Sequence, residues 1–191
     1  MHEYDLIAEW YAAERSRETG VAEVRALANA LPPDSLVLDI GCGNGIPITR
    51  TLLESGQCVV GLDSSSAMLQ KFQANCPGTR AVLGDIQTCE FAASSFDGAV
   101  AWGVMFHFRP DDQVKAIARV ADVLKTGAPF LFTSGDTDGF EPKEGTMDGV
   151  VFRYYSFSTE NYRRILREQG FALVDVHVDS GENTYYLATK C

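Results

Sequence analysis

The feature that most constrains the fold is a nine-residue stretch, Val-Leu-Asp-Ile-Gly-Cys-Gly-Asn-Gly, at residues 37–45. A short apolar run of strand length passes directly into three glycines at alternate positions, Gly41, Gly43 and Gly45, and a helix is predicted to begin near Pro47. Glycine tolerates positive φ and lets the backbone approach a ligand closely, while the first turn of a helix has free N–H groups. This order of strand, glycine turn and helix predicts a ligand-binding unit of an α/β sheet.

Short apolar runs alternate with helical stretches along the rest of the chain. Strands that alternate with helices form parallel sheets through right-handed crossovers, whereas two strands joined by a short turn run antiparallel. The pattern predicts a Rossmann-like, doubly wound, seven-stranded and mostly parallel α/β sheet, with an antiparallel last strand and helices on both faces. The predicted strands cover residues 36–40, 58–62, 80–83, 98–102, 129–133, 171–178 and 184–190.

Helical periodicity and capping residues predict the main helices. Apolar residues at helical spacing indicate two N-terminal helices, one around residues 4–11 and one over 21–31. Pro110 suits the first position of a later helix, and Ser158 suits the N-cap of another. The stretch 134–157 is rich in Gly, Asp and Pro and is predicted to be a long functional loop.

Composition limits the class of partner. The 191 residues carry a formal net charge of -10 with a pI near 4.7 and have no run of Lys and Arg, so we expect no nucleic-acid partner. Five scattered cysteines match neither a metal-binding pair nor a secreted disulfide framework. The first residues lack the regions of a signal peptide, and no stretch is apolar enough for a membrane span. We therefore expect one domain in the cytoplasm.

The spacing of the motif separates two classes of nucleotide cofactor. A dinucleotide fold requires Gly-x-Gly-x-x-Gly, but Ile46 stands at the third glycine position because Gly45 comes one residue early. Asp63 ends the second predicted strand about twenty residues further on, where a carboxylate accepts ribose hydroxyls in either class. The spacing disfavours a dinucleotide, so a nucleotide-dependent oxidoreductase is the weaker alternative.

With these motifs in this order, the sequence resembles the class I S-adenosylmethionine-dependent methyltransferases, most closely their small-molecule and ubiquinone-biosynthesis-like branch. The resemblance covers nearly the whole chain and rests on residues 37–45, 63–69, 84–86 and 96–102. It implies S-adenosyl-L-methionine as cofactor, no metal, and a methyl acceptor that is a small molecule. A protein or lipid-like acceptor, and a non-catalytic module that only binds S-adenosylmethionine, are the alternatives within this resemblance.

The resemblance also implies how the chain is organised. One methyltransferase domain would span residues 1–191. Within it, 1–33 would form an N-terminal helical cap, 34–134 the cofactor-binding half, and 135–191 an acceptor-side loop with a C-terminal helix and hairpin.

The family pattern further implies which residues contact the cofactor. Asp39 would orient the methionine end and Asp63 would bind the ribose, while Met68 would pack on the adenine and Asp85 would face its amino group. Met68 could instead pack only on the core, and Asp85 could serve only to form a turn. For Cys42, the alternative role is that of a nucleophile. The candidate cofactor residues are Asp39, Gly41, Cys42, Gly43, Gly45, Asp63, Ser64, Met68, Asp85, Ile86, Trp102 and Tyr11.

His107, which follows the fourth predicted strand, is the candidate catalytic residue. A hydroxyl or acidic-carbon acceptor must lose a proton near the place where the methyl group is presented, and an imidazole suits that role. The alternative is a histidine that only hydrogen-bonds backbone. Arg109 is expected to pair with Asp111 and Asp112, and pairing with an acidic acceptor is its alternative.

The N-terminal helices and the insertion at 135–155 are predicted to wall the acceptor pocket, which suggests a smallish, partly aromatic or apolar acceptor. The Asn/Asp-Pro-Pro-aromatic tetrapeptide of amino-directed DNA methyltransferases is absent after the fourth strand, where Trp-Gly-Val-Met stands at 102–105. Oxygen, nitrogen and carbon acceptors stay open, as does the oligomeric state. The candidate wall residues of the insertion are Phe140, Met147, Phe152, Arg153, Tyr154 and Tyr155. The resemblance implies that the N-terminal helices close over the methionine end, which makes Tyr4, Tyr11 and Arg15 further candidates.

Overall fold

A seven-stranded sheet forms the centre of the computed structural model, which describes residues 3–14, 16–138, 141–179 and 183–191. Its strands lie in the order β3-β2-β1-β4-β5-β9-β8, and a separate two-stranded sheet pairs β6 with β7. The strands are β1 (Leu36–Ile40), β2 (Cys58–Asp63), β3 (Arg80–Leu83), β4 (Gly98–Ala101), β5 (Pro129–Ser134), β6 (Lys143–Met147), β7 (Val150–Tyr154), β8 (Phe171–Val178) and β9 (Thr184–Lys190).

The strand directions confirm the predicted sheet. β1 pairs in parallel with both β2 and β4, so that Leu38 lies between Val60 and Ala99. β9 runs antiparallel to β5 and to β8, with Leu131 opposite Leu187. β1 and β4 are buried on both faces, as strands of a sheet covered by helices must be. The last strand is therefore the antiparallel one, as the short turn before it indicated.

Helices and a short turn connect these strands. Pro110 is the first residue of its helix and the Ser158 hydroxyl accepts a hydrogen bond from the backbone N–H of Asn161, which confirms both predicted helix starts. The first N-terminal helix is divided in two near Ile7. The helices are α1 (Glu3–Leu6), α2 (Ala8–Glu14), α3 (Val21–Ala30), α4 (Ile48–Glu54), α5 (Ser66–Asn75), α6 (Pro110–Val123) and α7 (Thr159–Glu168), with a 3-10 turn at Met105–His107.

The core lies on both faces of the sheet because successive residues of a strand point to opposite sides. On one face, Leu38 and Phe130 belong to a cluster with residues of α6 and α7. On the other, Val37 and Leu131 pack with residues of α3 and α4. In the part of the chain that the structure describes, no helix is long and apolar enough to cross a membrane.

The stretch predicted to be a loop, 134–157, contains the β6–β7 hairpin. Asp148 and Gly149 connect the strands with positive φ angles of 45° and 76°. Two central residues with positive φ form the tight turn that Asp-Gly favours between strands, and Met147 pairs with Val150 across it. The prediction of a long loop thus missed two strands, because the Asp-Gly turn signal lies among other Gly, Asp and Pro residues that indicate a loop.

Candidate active site

The carboxyl ends of the central parallel strands open into a cavity of about 600 Å³. Ligands of open α/β sheets bind at this edge, where crossovers lead to opposite faces. The cavity wall draws residues from the glycine turn, the loops after β2, β3 and β4, the N-terminal helices and β7. Those that the sequence singled out are Tyr4, Tyr11, Gly41, Gly43, Asp63, Ser64, Met68, Asp85, Trp102, His107, Arg109, Phe152, Arg153 and Tyr155.

The three glycines of the turn differ in what surrounds them. A Cβ on Gly41 would lie 2.7 Å from the Val104 side chain, so glycine is required there for close packing. A Cβ on Gly43 would approach Tyr11 only to 4.0 Å, which leaves the cavity side of Gly43 open to a ligand. A Cβ on Gly45 would lie 2.8 Å from the Cys76 sulfur. Gly45 therefore packs against the end of α5 and is not among the described residues that line the cavity.

Asp63, at the end of β2, fastens the glycine turn. One carboxylate oxygen accepts the backbone N–H of Gly43 at 2.8 Å, and the other accepts the N–H of Ser65 at 2.8 Å. The same residue also lines the cavity. Asp63 thus joins the ends of two neighbouring strands at the position predicted for ribose binding.

Asp39 is buried, with 1% exposure, and is not among the described residues that line the 600 Å³ cavity. Its carboxylate accepts a hydrogen bond of 2.5 Å from the Thr49 hydroxyl. Asp39 and Cys42 line a small side cavity of about 20 Å³, which shares Gly41, Gly43 and Trp102 with the main cavity.

Burial, with nearby carboxylates, raises the pKa of the Cys42 thiol far above its usual range. A neutral thiol is a poor nucleophile, which disfavours the nucleophilic alternative.

Burial raises the pKa of Asp39 to about 7; the Thr49 hydrogen bond lowers it and the Asp63 carboxylate raises it. Between the unfolded value of 3.8 and about 7, the folded state holds a proton that the unfolded state has lost. The free energy of unfolding should therefore fall as pH rises through this window, by at most about 1.4 kcal/mol per pH unit. Asp39→Asn should remove that slope. Urea unfolding of both proteins between about pH 4 and 7 measures it, and parallel profiles would contradict the assignment.

The adenine-side candidates separate into cavity and core positions. Met68 is 1% exposed yet lines the cavity, so its packing and ligand-contact roles coexist. Ser64 also faces the cavity. Asp85 lines it while one oxygen accepts the N–H of Gln87 at 2.8 Å, which is the turn-forming role considered as the alternative. Ile86 belongs to the hydrophobic core at 2% exposure and is not among the described lining residues.

Trp102, just beyond the end of β4, forms part of the cavity floor. Its indole lies under Gly20, where a Cβ would come within 2.5 Å of the ring. On the other side it contacts Tyr185, with ring centroids 4.5 Å apart. The backbone N–H of the next residue, Gly103, donates to the Thr133 hydroxyl at 2.8 Å. These contacts hold the end of β4 in place beside the glycine turn.

His107 ends the 3-10 turn after β4 and lies among aromatic rings. Its Nε2 is 2.9 Å from the Tyr4 hydroxyl. The rings of Phe106, Phe152 and Tyr154 have centroids 4.8 to 5.7 Å from the imidazole centroid. The candidate base is therefore held by side chains from α1 and the hairpin, in addition to its own turn.

A second cavity, of about 980 Å³, adjoins the first on the side of the β6–β7 hairpin. The two share Tyr4, Tyr11, Gly103, His107 and Tyr155, so they meet where the candidate base lies. Among the predicted wall residues, Met147 and Tyr154 line the second cavity, whereas Phe152 and Arg153 line the first. Arg15 and Phe140 lie outside the described residues.

Arg109 departs from expectation. Asp112 forms its ion pair with Lys115 at 2.9 Å, and no ion pair joins Arg109 to Asp111 or Asp112 among the described residues. Arg109 is the extended residue just before α6, so its side chain precedes the first helical turn and lies against the 600 Å³ cavity. The expected pairing was wrong because the helix's own i,i+3 partner occupies Asp112.

Sequence reasoning missed the contact that joins α1 to the site. Asp5 accepts hydrogen bonds from the Ser65 hydroxyl at 2.7 Å and from the Ala67 N–H at 3.2 Å. Tyr4 immediately precedes Asp5 in the chain, so this contact holds Tyr4 at the junction of the two cavities. A lone aspartate in an amphipathic helix carries no signal of such a long-range contact.

Residues 37–127 match the methyltransferase-domain family. This match supports the class I S-adenosylmethionine-dependent methyltransferases, whose cofactor is S-adenosyl-L-methionine, as the family of this chain. The predicted family and its cofactor are confirmed, whereas the branch within the family stays a prediction.

The tRNA U34 carboxymethyltransferase of Shewanella pealeana is 28% identical over 168 residues, which cover 80% of this chain and 47% of that protein. The chain spans about half the length of the Shewanella proteins it matches. Among solved structures, the CcbJ methyltransferase of Streptomyces caelestis has a TM-score of 0.81 at 18% identity, covering 99% of this chain and 98% of that one. Burkholderia thailandensis 1,6-didemethyltoxoflavin-N1-methyltransferase, with bound 1,6-didemethyltoxoflavin and S-adenosylhomocysteine, has a TM-score of 0.74 at 22% identity, covering 98% and 86%. At such identities these structures show the fold.

Proposed function

We propose that this chain transfers the methyl group of S-adenosylmethionine to a small-molecule acceptor. The observation that carries the proposal is the meeting of two cavities at His107: one of about 600 Å³ lined by the glycine turn and Asp63, and one of about 980 Å³ lined by the hairpin side. Ligand pockets in proteins occupy about 300–1,000 Å³, so each cavity suits one reactant. Their shared residues mark the place of transfer.

The residues of the first cavity suit the cofactor. The open side of Gly43 gives the methionine end room, and Asp63, a carboxylate that lines the same cavity, is the group that would accept the ribose hydroxyls. Met68 and Asp85 line the same cavity, where the adenine would lie. When bound, S-adenosylmethionine supplies a sulfonium methyl group with an already activated leaving group. These assignments are proposals that rest on position in the cavity.

The protein's contribution to such a displacement is alignment and exclusion of water. The rings around His107, with Tyr4 above the junction, keep the transfer position largely apolar. His107 is placed to accept a proton from an acceptor in the second cavity. On this basis 1–33 acts as a helical cap, 34–134 as the cofactor-binding half and 135–191 as the acceptor side of a single domain.

The charge of the acceptor side favours a small molecule over tRNA, although the Shewanella relatives are tRNA carboxymethyltransferases. Asp136, Asp138 and Glu141 line the second cavity with Lys143 as its single lysine or arginine among the described lining residues. The whole chain has a formal net charge of -10. Affinity for nucleic acid depends on Lys and Arg that neutralise phosphates, and this surface instead repels them.

The cofactor assignment predicts that S-adenosylmethionine and S-adenosylhomocysteine bind whereas NADH does not. The physical reason is the Gly41-x-Gly43-x-Gly45 spacing, which lacks the third glycine that a pyrophosphate needs. Isothermal titration calorimetry with each ligand measures the difference. Tight NADH binding without heat from S-adenosylhomocysteine would falsify the assignment.

Turnover then identifies the acceptor. Release of S-adenosylhomocysteine is measured for the protein with panels of small hydroxyl, amine and acidic-carbon compounds, and in parallel with unmodified bulk tRNA. We expect release with a small molecule and none above background with tRNA. Release with tRNA alone would replace the small-molecule proposal with a nucleic-acid one, and binding without release in any arm would indicate a non-catalytic module.

A further inference from the structure

Gln113, in the first turn of α6, connects three walls of the acceptor side. Its side chain is fully buried, with 0% exposure. Its Nε2 donates to the backbone oxygen of Phe108 at 3.0 Å and to that of Tyr155 at 3.1 Å. Its Oε1 accepts from the Tyr162 hydroxyl at 2.6 Å. Both amide hydrogens and the amide oxygen are thus used inside the protein.

The direction of each bond in this network is fixed by its neighbours. A reversed amide would place Oε1 of Gln113 against two carbonyl oxygens, which cannot donate. Because the Tyr162 proton points to Gln113, the hydroxyl of Ser134 must donate to the Tyr162 oxygen, 2.6 Å away. Ser134 ends β5 and lines the second cavity. The network therefore runs from the end of the sheet to the loop that follows β4.

The same network fastens both neighbours of His107. The Phe106 oxygen accepts the Tyr155 N–H at 2.7 Å, and the Phe108 oxygen accepts from Gln113, which also donates to the Tyr155 oxygen. The backbone of Tyr155 is consequently tied on both sides to the turn that carries His107. Tyr155 and His107 line both cavities.

We propose that Gln113 is a positioning residue that fixes His107 and Tyr155 relative to the end of β5, and so sets how well the acceptor binds and reacts. The inference rests on the proposed function, because it assigns the second cavity to the acceptor. Buried polar networks whose members are all paired hold one geometry, since any alternative leaves a buried group unpaired. Gln113 is not among the described residues that line either cavity, so it acts through its neighbours.

The test compares Gln113→Met with a matched control, Gln57→Met. Gln57 is also a buried glutamine that ties backbone segments: it donates to Ala28 and accepts from Ser35, away from both cavities. Both variants lose buried hydrogen bonds and should lose comparable stability. Hydrogen exchange at the Tyr155 amide should accelerate at least about tenfold only in Gln113→Met, because local opening there no longer breaks the Gln113 bonds.

Two further measurements separate positioning from general destabilisation. The NMR signals of the His107 imidazole should shift or broaden in Gln113→Met and stay unchanged in Gln57→Met. The dissociation constant of S-adenosylhomocysteine should stay within about twofold of wild type in both, because the hydrogen bonds of neither glutamine involve the glycine turn or Asp63, which hold the cofactor in the proposed function. With the acceptor that gives release in the screen above, kcat/KM for that acceptor should fall at least about tenfold while KM for S-adenosylmethionine is unchanged.

Equal effects of the two substitutions, or an unchanged Tyr155 amide and His107 imidazole, would overturn the inference. If Gln113→Met does not fold, Tyr162→Phe is the substitute, because it removes only the hydroxyl from which Gln113 accepts a hydrogen bond. It should change Tyr155 exchange, the His107 signals and the acceptor kcat/KM in the same direction, but by less. Failure of the proposed function shows itself differently, as wild-type protein that neither binds nor releases S-adenosylhomocysteine.

Discussion

Asp63→Ala is expected to weaken S-adenosylhomocysteine binding by about 2–4 kcal/mol, roughly 30- to 1,000-fold in dissociation constant. A carboxylate that accepts two ribose hydroxyls makes two charge-assisted hydrogen bonds, each worth about 1.5–3 kcal/mol, and water recovers part of the loss. Isothermal titration calorimetry on both proteins measures the change.

The structure adds a second consequence of this substitution. Because Asp63 accepts the N–H groups of Gly43 and Ser65, the alanine variant also loosens the glycine turn before any ligand binds. We expect the fold to survive with a loss of about 1–3 kcal/mol in the free energy of unfolding, the usual cost of unpaired backbone donors. Urea unfolding without ligand measures this contribution separately.

Asp97→Ala is the matched control. Asp97 likewise ties backbone, since its carboxylate accepts the Leu36 N–H at 2.9 Å and pairs with Lys125 at 2.6 Å, but at the opposite end of β1. Both variants should lose stability, and only Asp63→Ala should lose affinity. Unchanged affinity in Asp63→Ala, or equal losses in both variants, would place the ribose elsewhere.

The strand arrangement was predictable because each strand carries its own local signal. Residues 36–40 are apolar except for the buried Asp39, and such nearly continuous apolar runs are typical of strands covered on both faces. The short 179–183 connection signalled the antiparallel β9, although residues 180–182 lie outside the described ones. Local pattern and tertiary structure agree here, so sequence reasoning succeeded.

Only some of the candidate cofactor residues line the cavity, because others are required for packing within the protein. Gly41 and Gly43 line the cavity, whereas Gly45 is a glycine because Cys76 leaves no room for a side chain. The Ile86 side chain likewise packs in the hydrophobic core. A motif reports that a position is constrained, and it does not distinguish contact with a ligand from contact with the protein.

Contacts between distant segments were not predictable from single residues. Asp5 with Ser65, and Gln113 with Tyr155, join positions far apart in the chain through ordinary polar side chains. Whether a glutamine is buried and which backbone groups it meets depends on the packing of several elements at once. The walls of the second cavity are held by such contacts, so their geometry required the structure.

His107→Ala is expected to lower turnover by about 10²–10⁴ while leaving S-adenosylhomocysteine affinity nearly unchanged, if the imidazole removes a proton from the acceptor. His107 lies at the junction of the two cavities, and its Nε2 contacts the Tyr4 hydroxyl at 2.9 Å. The wild-type rate should then rise with pH across the weakly acidic to neutral range, because only the deprotonated imidazole can accept the proton. Steady-state kinetics across this pH range, with the acceptor identified by release of S-adenosylhomocysteine, measures both effects.

His177→Ala serves as the control, because His177 stacks on Tyr185 with centroids 4.8 Å apart and is not among the described residues lining either cavity. It should keep wild-type turnover. A positioning role for His107 gives another signature, in which the loss appears in the acceptor KM and the pH profile stays flat between about 6 and 8. Tyr4→Phe then shows whether the hydroxyl holds the imidazole in place, since it would reproduce part of that loss. Wild-type turnover in His107→Ala would exclude both roles and leave alignment by the surrounding rings to explain the transfer.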